Sequence, residues 1–598
     1  MNRRDFLKAS GALFLGQALR SFDVAQDRPF DVAQDRPFDG AQGKLHSGQA
    51  LRLHSGQALG PWHGFPRARS VAETAREQET LLAAIESLAN PVTALYLPLG
   101  TSVLFSSART ILDGDSPEIQ RNFWDYTRED TFSDPHYGYF DKSGDFHQYK
   151  VKPGYDGTPE YVMAELWGPG VVPFMWFTHT APFTMAPEHE RALENAGVPP
   201  KEWGNIQAMG NIRIYVDYEP TPVLDMPMVT FLKRAPFSWR YRDNGANGTY
   251  YPFFFRRFIR IASTGCPRFF VIKGVYLHPS VPVPSFRGLP QQGSPEQAMV
   301  NSVTSALGRP LEIPRIYGAR EFSQIYDIGA DQPAVINLDT PGILSGLCFA
   351  IPHDLPLDKR NNLDLSITYE NGDSFALPLA AFWGPLDRPP EDIYYQTALL
   401  GITTVGGEDV YYANFAMPFQ RAQIRIQGRD VAAGRVGARI SYFLVGSPNV
   451  PSFRFKAYYS GPVRKEAGSD DFMLLPPAGK RKYVGSILGA REWTPTPGAW
   501  NCQYAEGNVK MIGPPKMSFT GWEDFFSGGY FPQAFVTPTR PLGGGTIYWS
   551  DYWNHLTVVG LFHGYNQPLV EAVSVEHGIT AYNEASLTCY GTSFYYTL

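Results

Sequence analysis

NIRIYVDYEPTPVLDMPMVTFL (211–232) and LDLSITYENGDSFALPLAAFWG (363–384) occupy corresponding places in two copies of one longer pattern. The first stretch follows GPGVVPFMWF (168–177) and precedes YPFFFRRFIRI (251–261) and VPSFRG (283–288). The second follows TPGILSGLCF (340–349) and precedes MPFQRAQIRI (417–426) and VPSFRF (450–455). From the proline of YPF to that of PSF is 32 residues in one copy, and the MPF-to-PSF distance is 33 in the other. Short apolar or alternating runs bounded by Gly, Pro, Asn and Asp are what strands require, so the pattern describes one β module used twice.

Composition agrees. Aromatic residues make up 14% of the chain and it holds 57 Gly and 51 Pro, which suits strands joined by many turns better than helical bundles. At 598 residues, and about 150 residues per domain, there is room for three or four cores. The expected order is a helix over 71–91, a first module over 92–288, a linker over 289–310, a second module over 311–462 and a C-terminal module over 463–598. The last region shows no trace of the repeat. An extra helical-looking segment at 186–203 is expected to be a surface excursion of the first module.

A net charge of −6 without a basic stripe argues against nucleic acid as a partner. No long apolar run follows the N-terminus, so a spanning helix is not expected. Cys266, Cys348, Cys502 and Cys589 lack the close spacing of zinc or redox pairs and read as small buried hydrophobes.

The chain opens MNRRDFLKASGALFLGQAL, like a twin-arginine export signal over 1–20. Tandem copies of polar units, FDVAQDRP and LHSGQAL, then fill 21–60, which is read as disordered. The expectation is export to a periplasmic or extracellular location, with a cytoplasmic one if the repeats disable the signal.

Chemistry is sought in TGWEDFFSGGYF (520–531), where Glu523 and Asp524 stand among aromatic residues. Glu506 lies 17 residues earlier, and Gly-Pro-Pro at 513–515 supplies a reversal between them. If the flanking strands are neighbours, two carboxylates can meet across a rigid sheet. Glycoside cleavage needs such a pair: about 5–5.5 Å apart for retention, about 6.5–9.5 Å for inversion. An exposed Glu at a strand end is the plainer reading of the spacing alone.

The C-terminal region resembles glycoside hydrolase family 172, whose members act on α-linked fructofuranosides and arabinofuranosides. TGWEDFF (520–526) is similar to the family's GTGTEDYF, YVGSILG (483–489) to its YVGT turn, AEGN (505–508) to its WGEGD-like strand, and SVEHG (574–578) to its TIEHG. Both copies of the repeat resemble the family's other half, the first in GPGVVPFMWFT and RIYVDYEPTPVLDMP, the second in MPFQRAQIRI, so the likeness runs over about 100–598. It implies jelly-roll β-sandwich modules, a retaining mechanism without a cofactor, and trimer-based homo-oligomers. It places the nucleophile on Glu523 and the acid/base on Glu506. Trp522, Asp524, Phe525 and Tyr504 would contact the sugar, with Asp141 and Asp145 of DKSGDFHQY (141–149) as further contacts or as an exposed turn.

The sequence departs from the family pattern in the tryptophan directly before Glu523, in a shorter Glu506–Glu523 spacing and in the doubled module. These departures suit a second reading, a carbohydrate-binding or assembly protein with a decayed pocket. His555, His563 and His577, near Asp551 and Glu576, lack a compact metal spacing and read as structural. Tyr548, Trp549, Tyr552 and Trp553 suit a sugar-stacking face, an aromatic core or an oligomer interface equally.

Overall fold

The protein is described from a computed structural model, covering residues 70–106, 131–134, 138–140, 146–148, 150–178, 206–240, 247–265, 269–384, 395–447, 449–492, 507–513, 517–519, 522–525, 548–550, 555–577 and 585–598. The segments 1–20, 21–60 and 186–203 lie outside these residues.

The chain is mainly β, organised in antiparallel sheets consistent with β-sandwich modules. In the first, Thr101–Ser106, Phe269–Tyr276, Gly170–Thr178, Asn247–Thr249 and Ser238–Arg240 lie side by side in that order. A second sheet runs Lys150–Pro153, Pro159–Trp167, Phe258–Ser263, Asn211–Val216, Leu224–Pro227. The next module repeats the order. Arg320–Ile328, Val436–Gly446, Gly342–Pro352, Glu408–Ala413, Leu400–Val405 and Tyr395–Gln396 form one sheet, and Ala334–Leu338, Ala422–Gly428, Leu363–Tyr369 and Ser374–Pro378 the other.

The C-terminal region, where no repeat is legible, has the same topology. Its larger sheet runs Arg454–Lys465, Leu587–Thr597, Arg481–Glu492, His555–Leu561, Tyr548–Ser550, and its smaller one Phe472–Leu475, Ala572–Val575, Val509–Ile512, Met517–Phe519. In every module a short strand at or just after a proline pairs with the centre of the larger sheet. These strands are Phe253–Phe255 after Pro252, Met417–Phe419 containing Pro418, and Leu569–Val570 after Pro568. The third copy hides because alternation only fixes which positions are apolar, and many side chains satisfy that requirement.

In each module a short helix follows the last strand of the smaller sheet: Met228–Arg234, Leu379–Trp383 and Trp522–Phe525. The first and fourth residues of each are buried: Met228 and Phe231, Leu379 and Phe382, Trp522 and Phe525. Residues three apart share one helix face, so a single turn is pinned to the core by two side chains.

The leading helix is Val71–Glu86, and Pro91 opens a second, Pro91–Leu95, rather than merely ending the first. Asn90 caps it, its side-chain oxygen accepting from the Val92 N–H at 3.1 Å; proline at the first helical position needs no donor partner. The segment read as a linker holds the helix Pro295–Leu307, N-capped by Ser294, with Val300, Val303, Ala306 and Leu307 buried. That spacing buries one helix face, which explains why a Pro- and Gly-dense stretch is packed here.

The second and third modules share an aromatic joint: Phe415 stacks on Phe455 at 4.8 Å and Phe382 meets Phe594 edge-on at 5.2 Å. The Tyr596 hydroxyl donates to the Ala416 carbonyl at 2.9 Å, and Tyr369 donates to Phe455 at 2.9 Å. Each phenol thus buries its ring and satisfies its polar end. Cys589 is likewise core, its thiol pushed up to about 12 by burial. No helix among the described residues is long and apolar enough to cross a membrane.

Candidate functional site

The smaller sheet of the third module holds the hairpin that separates the candidate acids in the sequence. Val509–Ile512 and Met517–Phe519 are antiparallel neighbours, with Val509 opposite Phe519 and Met511 opposite Met517. In the sequence Glu506 precedes this hairpin and Glu523 follows it. Glu506 and Tyr504 lie outside the described residues, as do Asp141 and Asp145. Glu523 and Asp524 are the two middle positions of the helix Trp522–Phe525, described as backbone.

The rings on either side of them are fully placed. Trp522 is 0% exposed and its indole N–H donates to the Glu576 carbonyl at 2.8 Å. Phe525 is buried and meets Phe562 edge-on at 5.6 Å. Both belong to the hydrophobic core, so they hold the turn from beneath and offer no free face for a sugar to stack on. The tryptophan that departs from the family pattern is thus a core residue, equivalent in place to Met228 and Leu379.

Ala572–Val575 pairs with Val509–Ile512 on the hairpin's other side and delivers Glu576 and His577 beyond the Val509–Phe519 pair. The Glu576 carboxyl is 2% exposed. Its Oε2 accepts from the Asn508 backbone N–H at 3.1 Å and from the Asn508 side-chain amide at 2.7 Å; Oε1 pairs with Lys510. Lys510 also pairs with Asp471 at 3.1 Å, and Asp471 accepts from the Ser574 hydroxyl at 2.9 Å. Burial raises the Glu576 carboxyl to about 7, with Lys510 pulling the other way. Burial also depresses Lys510, but the Glu576 and Asp471 carboxylates outweigh it and its ammonium is held above the usual range.

Gly507, next to Glu506, is held to glycine by a close approach. A Cβ there would stand 2.3 Å from the Glu576 carbonyl oxygen and 2.6 Å from its carbon. These are backbone atoms of a paired strand and cannot swing aside. Gly507→Ala is therefore expected to cost about 1–3 kcal/mol of stability, read from the denaturant midpoint. An unchanged midpoint would show that the strand ends can part there freely.

His577 is buried, with Nδ1 2.7 Å from the Ala585 carbonyl. His563 lines a small buried space with Ser87, Pro91, Ala94, Phe415 and Tyr596. Burial lowers His563 to about 4, against a hydrogen bond to the Leu88 backbone that raises it. Such a histidine folds neutral. Stability is full above about pH 6.5 and falls as pH drops toward 4, because the unfolded chain takes a proton the folded one refuses. The loss is about 3 kcal/mol. Urea unfolding at pH 7 and pH 4.5 should show a smaller drop for His563→Gln than for the native chain, and equal drops would refute the assignment.

No group of three or more His, Cys, Asp or Glu side chains among the described residues is gathered as a metal would need. His555 has no described side chain, and neither do Tyr548 and Trp549; Asp551, Tyr552 and Trp553 lie outside the described residues.

Residues 120–292 match the family model described as the GH172 first beta-sandwich domain. A β-sandwich domain of that family is therefore present, and it covers the first module from residue 120 onward. No curated protein matches the chain. Among solved structures, a chain of the Sulfolobus Turreted Icosahedral Virus structure is 10% identical over 47% of this chain and 91% of its own, with a TM-score of 0.28. The STIV MCP crystal structure is 11% identical over 47% and 97%, also with a TM-score of 0.28.

Proposed function

We propose that the protein is a retaining glycoside hydrolase, or transglycosylase, of α-linked furanosides such as D-arabinofuranosides or D-fructofuranosides. The observation that supports this reading is the antiparallel hairpin of Val509–Ile512 with Met517–Phe519, which lies between Glu506 and Glu523 in the sequence. The match of residues 120–292 to a GH172 domain supports it independently.

In this reading the Glu523 carboxylate attacks the anomeric carbon while Glu506, as the acid, gives its proton to the departing glycosidic oxygen. A covalent glycosyl ester forms and the aglycone leaves as an alcohol. Glu506, now a carboxylate, takes a proton from water or an acceptor hydroxyl. That oxygen attacks the anomeric carbon and Glu523 is released. Retention follows from two inversions. Asp524, Tyr504, Asp141 and Asp145 are the proposed sugar contacts, with Trp522 and Phe525 anchoring the turn from the core.

The helices at the corresponding places of the other modules, MVTFLKR (228–234) and LAAFW (379–383), carry no acid. The bond-breaking chemistry therefore falls to the third module. We further propose that the sandwiches are jelly rolls, that the protein works as a trimer-based homo-oligomer, and that the RR-containing N-terminus exports it.

The test is hydrolysis of p-nitrophenyl α-D-arabinofuranoside and of an α-fructofuranoside panel, with the anomer of the first product read by proton NMR. Release of the α anomer first supports the reading. The β anomer would exclude a retaining mechanism, and silence across the panel would favour a carbohydrate-binding role.

A further inference from the structure

We infer that Glu576 is a positioning residue that fixes the Glu506-bearing segment and the Glu523-bearing turn to one strand end. The inference rests on the function proposed above only for its kinetic consequence; the tie itself is geometric. Glu576 reaches both segments through different atoms. Its carboxylate Oε2 holds the Asn508 backbone N–H at 3.1 Å and the Asn508 amide at 2.7 Å, two residues after Glu506. Its own carbonyl oxygen receives the Trp522 indole N–H at 2.8 Å, one residue before Glu523. The Glu576 N–H also donates to the Asn508 carbonyl at 2.9 Å, so the first segment is gripped at main chain and side chain together.

The arrangement is held from behind. Lys510 pairs with the second carboxylate oxygen and with Asp471, which also takes the Ser574 hydroxyl. A carboxylate so surrounded has little freedom to rotate, and charge-assisted bonds to backbone N–H groups are among the stronger ones available. Gly507 lets the two main chains approach closely enough for the grip to form. A pair of acids that must sit a fixed distance apart needs this kind of common support, because a misplacement of about 1 Å can cost roughly 100-fold in rate.

Three variants of the full chain test the tie by hydrogen exchange and by kinetics. Glu576→Ala removes the carboxylate but keeps the carbonyl, so it should speed amide exchange in 507–513, leave 522–525 protected, and lower kcat by roughly 100-fold with KM little changed. Glu576→Gln keeps an acceptor for Asn508 and should recover most of both effects, which a general loss of stability would not allow. Trp522→Phe keeps an apolar ring but removes the indole donor, and should loosen 522–525 while leaving 507–513 protected. Unchanged exchange at 507–513 in Glu576→Ala would overturn the inference, as would an unaltered kcat in a turning-over enzyme. If Glu576→Ala does not fold, Glu576→Gln and Trp522→Phe decide: protection at 522–525 equal to the native chain in Trp522→Phe overturns it. If the native chain turns over no furanoside, the proposed function fails and exchange still decides the tie.

Discussion

Glu523→Gln is expected to fold like the native chain and to lose at least about 1,000-fold in turnover of an α-furanoside. The amide is nearly the same size as the carboxylate, so the turn between Trp522 and Phe525 keeps its two core anchors. It cannot form the glycosyl ester. Glu506→Gln should fail differently, because it removes the proton donor while leaving the nucleophile. A substrate whose leaving group needs no protonation should partly restore the first step in Glu506→Gln and do nothing for Glu523→Gln. Native-like activity in either variant, with the fold intact, would remove that residue from the mechanism.

The largest structural effect is expected at Trp522. Trp522→Ala deletes a fully buried ring from the core and leaves the Glu576 carbonyl without its indole donor. Large-to-small changes of this kind cost about 3–5 kcal/mol, and a lost buried hydrogen bond adds about 1 kcal/mol or more. A fall in the denaturant midpoint of that size marks Trp522 as a support. A midpoint close to the native value, combined with a raised KM, would return it to the sugar-contact role that its neighbourhood in the sequence suggests.

The same residue shows how far sequence reasoning reaches. An aromatic residue beside an acid reads equally as a binding wall or as core, since apolar surface suits both. The helix turn decides between them: Trp522 and Phe525 share the inner face, as Met228 with Phe231 and Leu379 with Phe382 do in the other modules. Glu576 teaches the converse. In sequence it is one acid of a histidine-rich stretch; in the fold it joins Asn508 and Trp522, which lie 68 and 54 residues away.

What the sequence determined by itself is the β character of the chain, the strand-like pattern shared by 168–288 and 340–455, and the hairpin between Glu506 and Glu523. All three follow from local signals: alternation, turn residues and a Gly-Pro-Pro reversal at 513–515. The shared topology of the third module was decided only in three dimensions, because strand order depends on which distant segments pair and leaves no fixed residue pattern beyond apolar alternation. The packed helix within the supposed linker, the core placement of Trp522 and the tie at Glu576 are likewise tertiary. Each depends on burial against partners remote in the chain, which local composition does not encode.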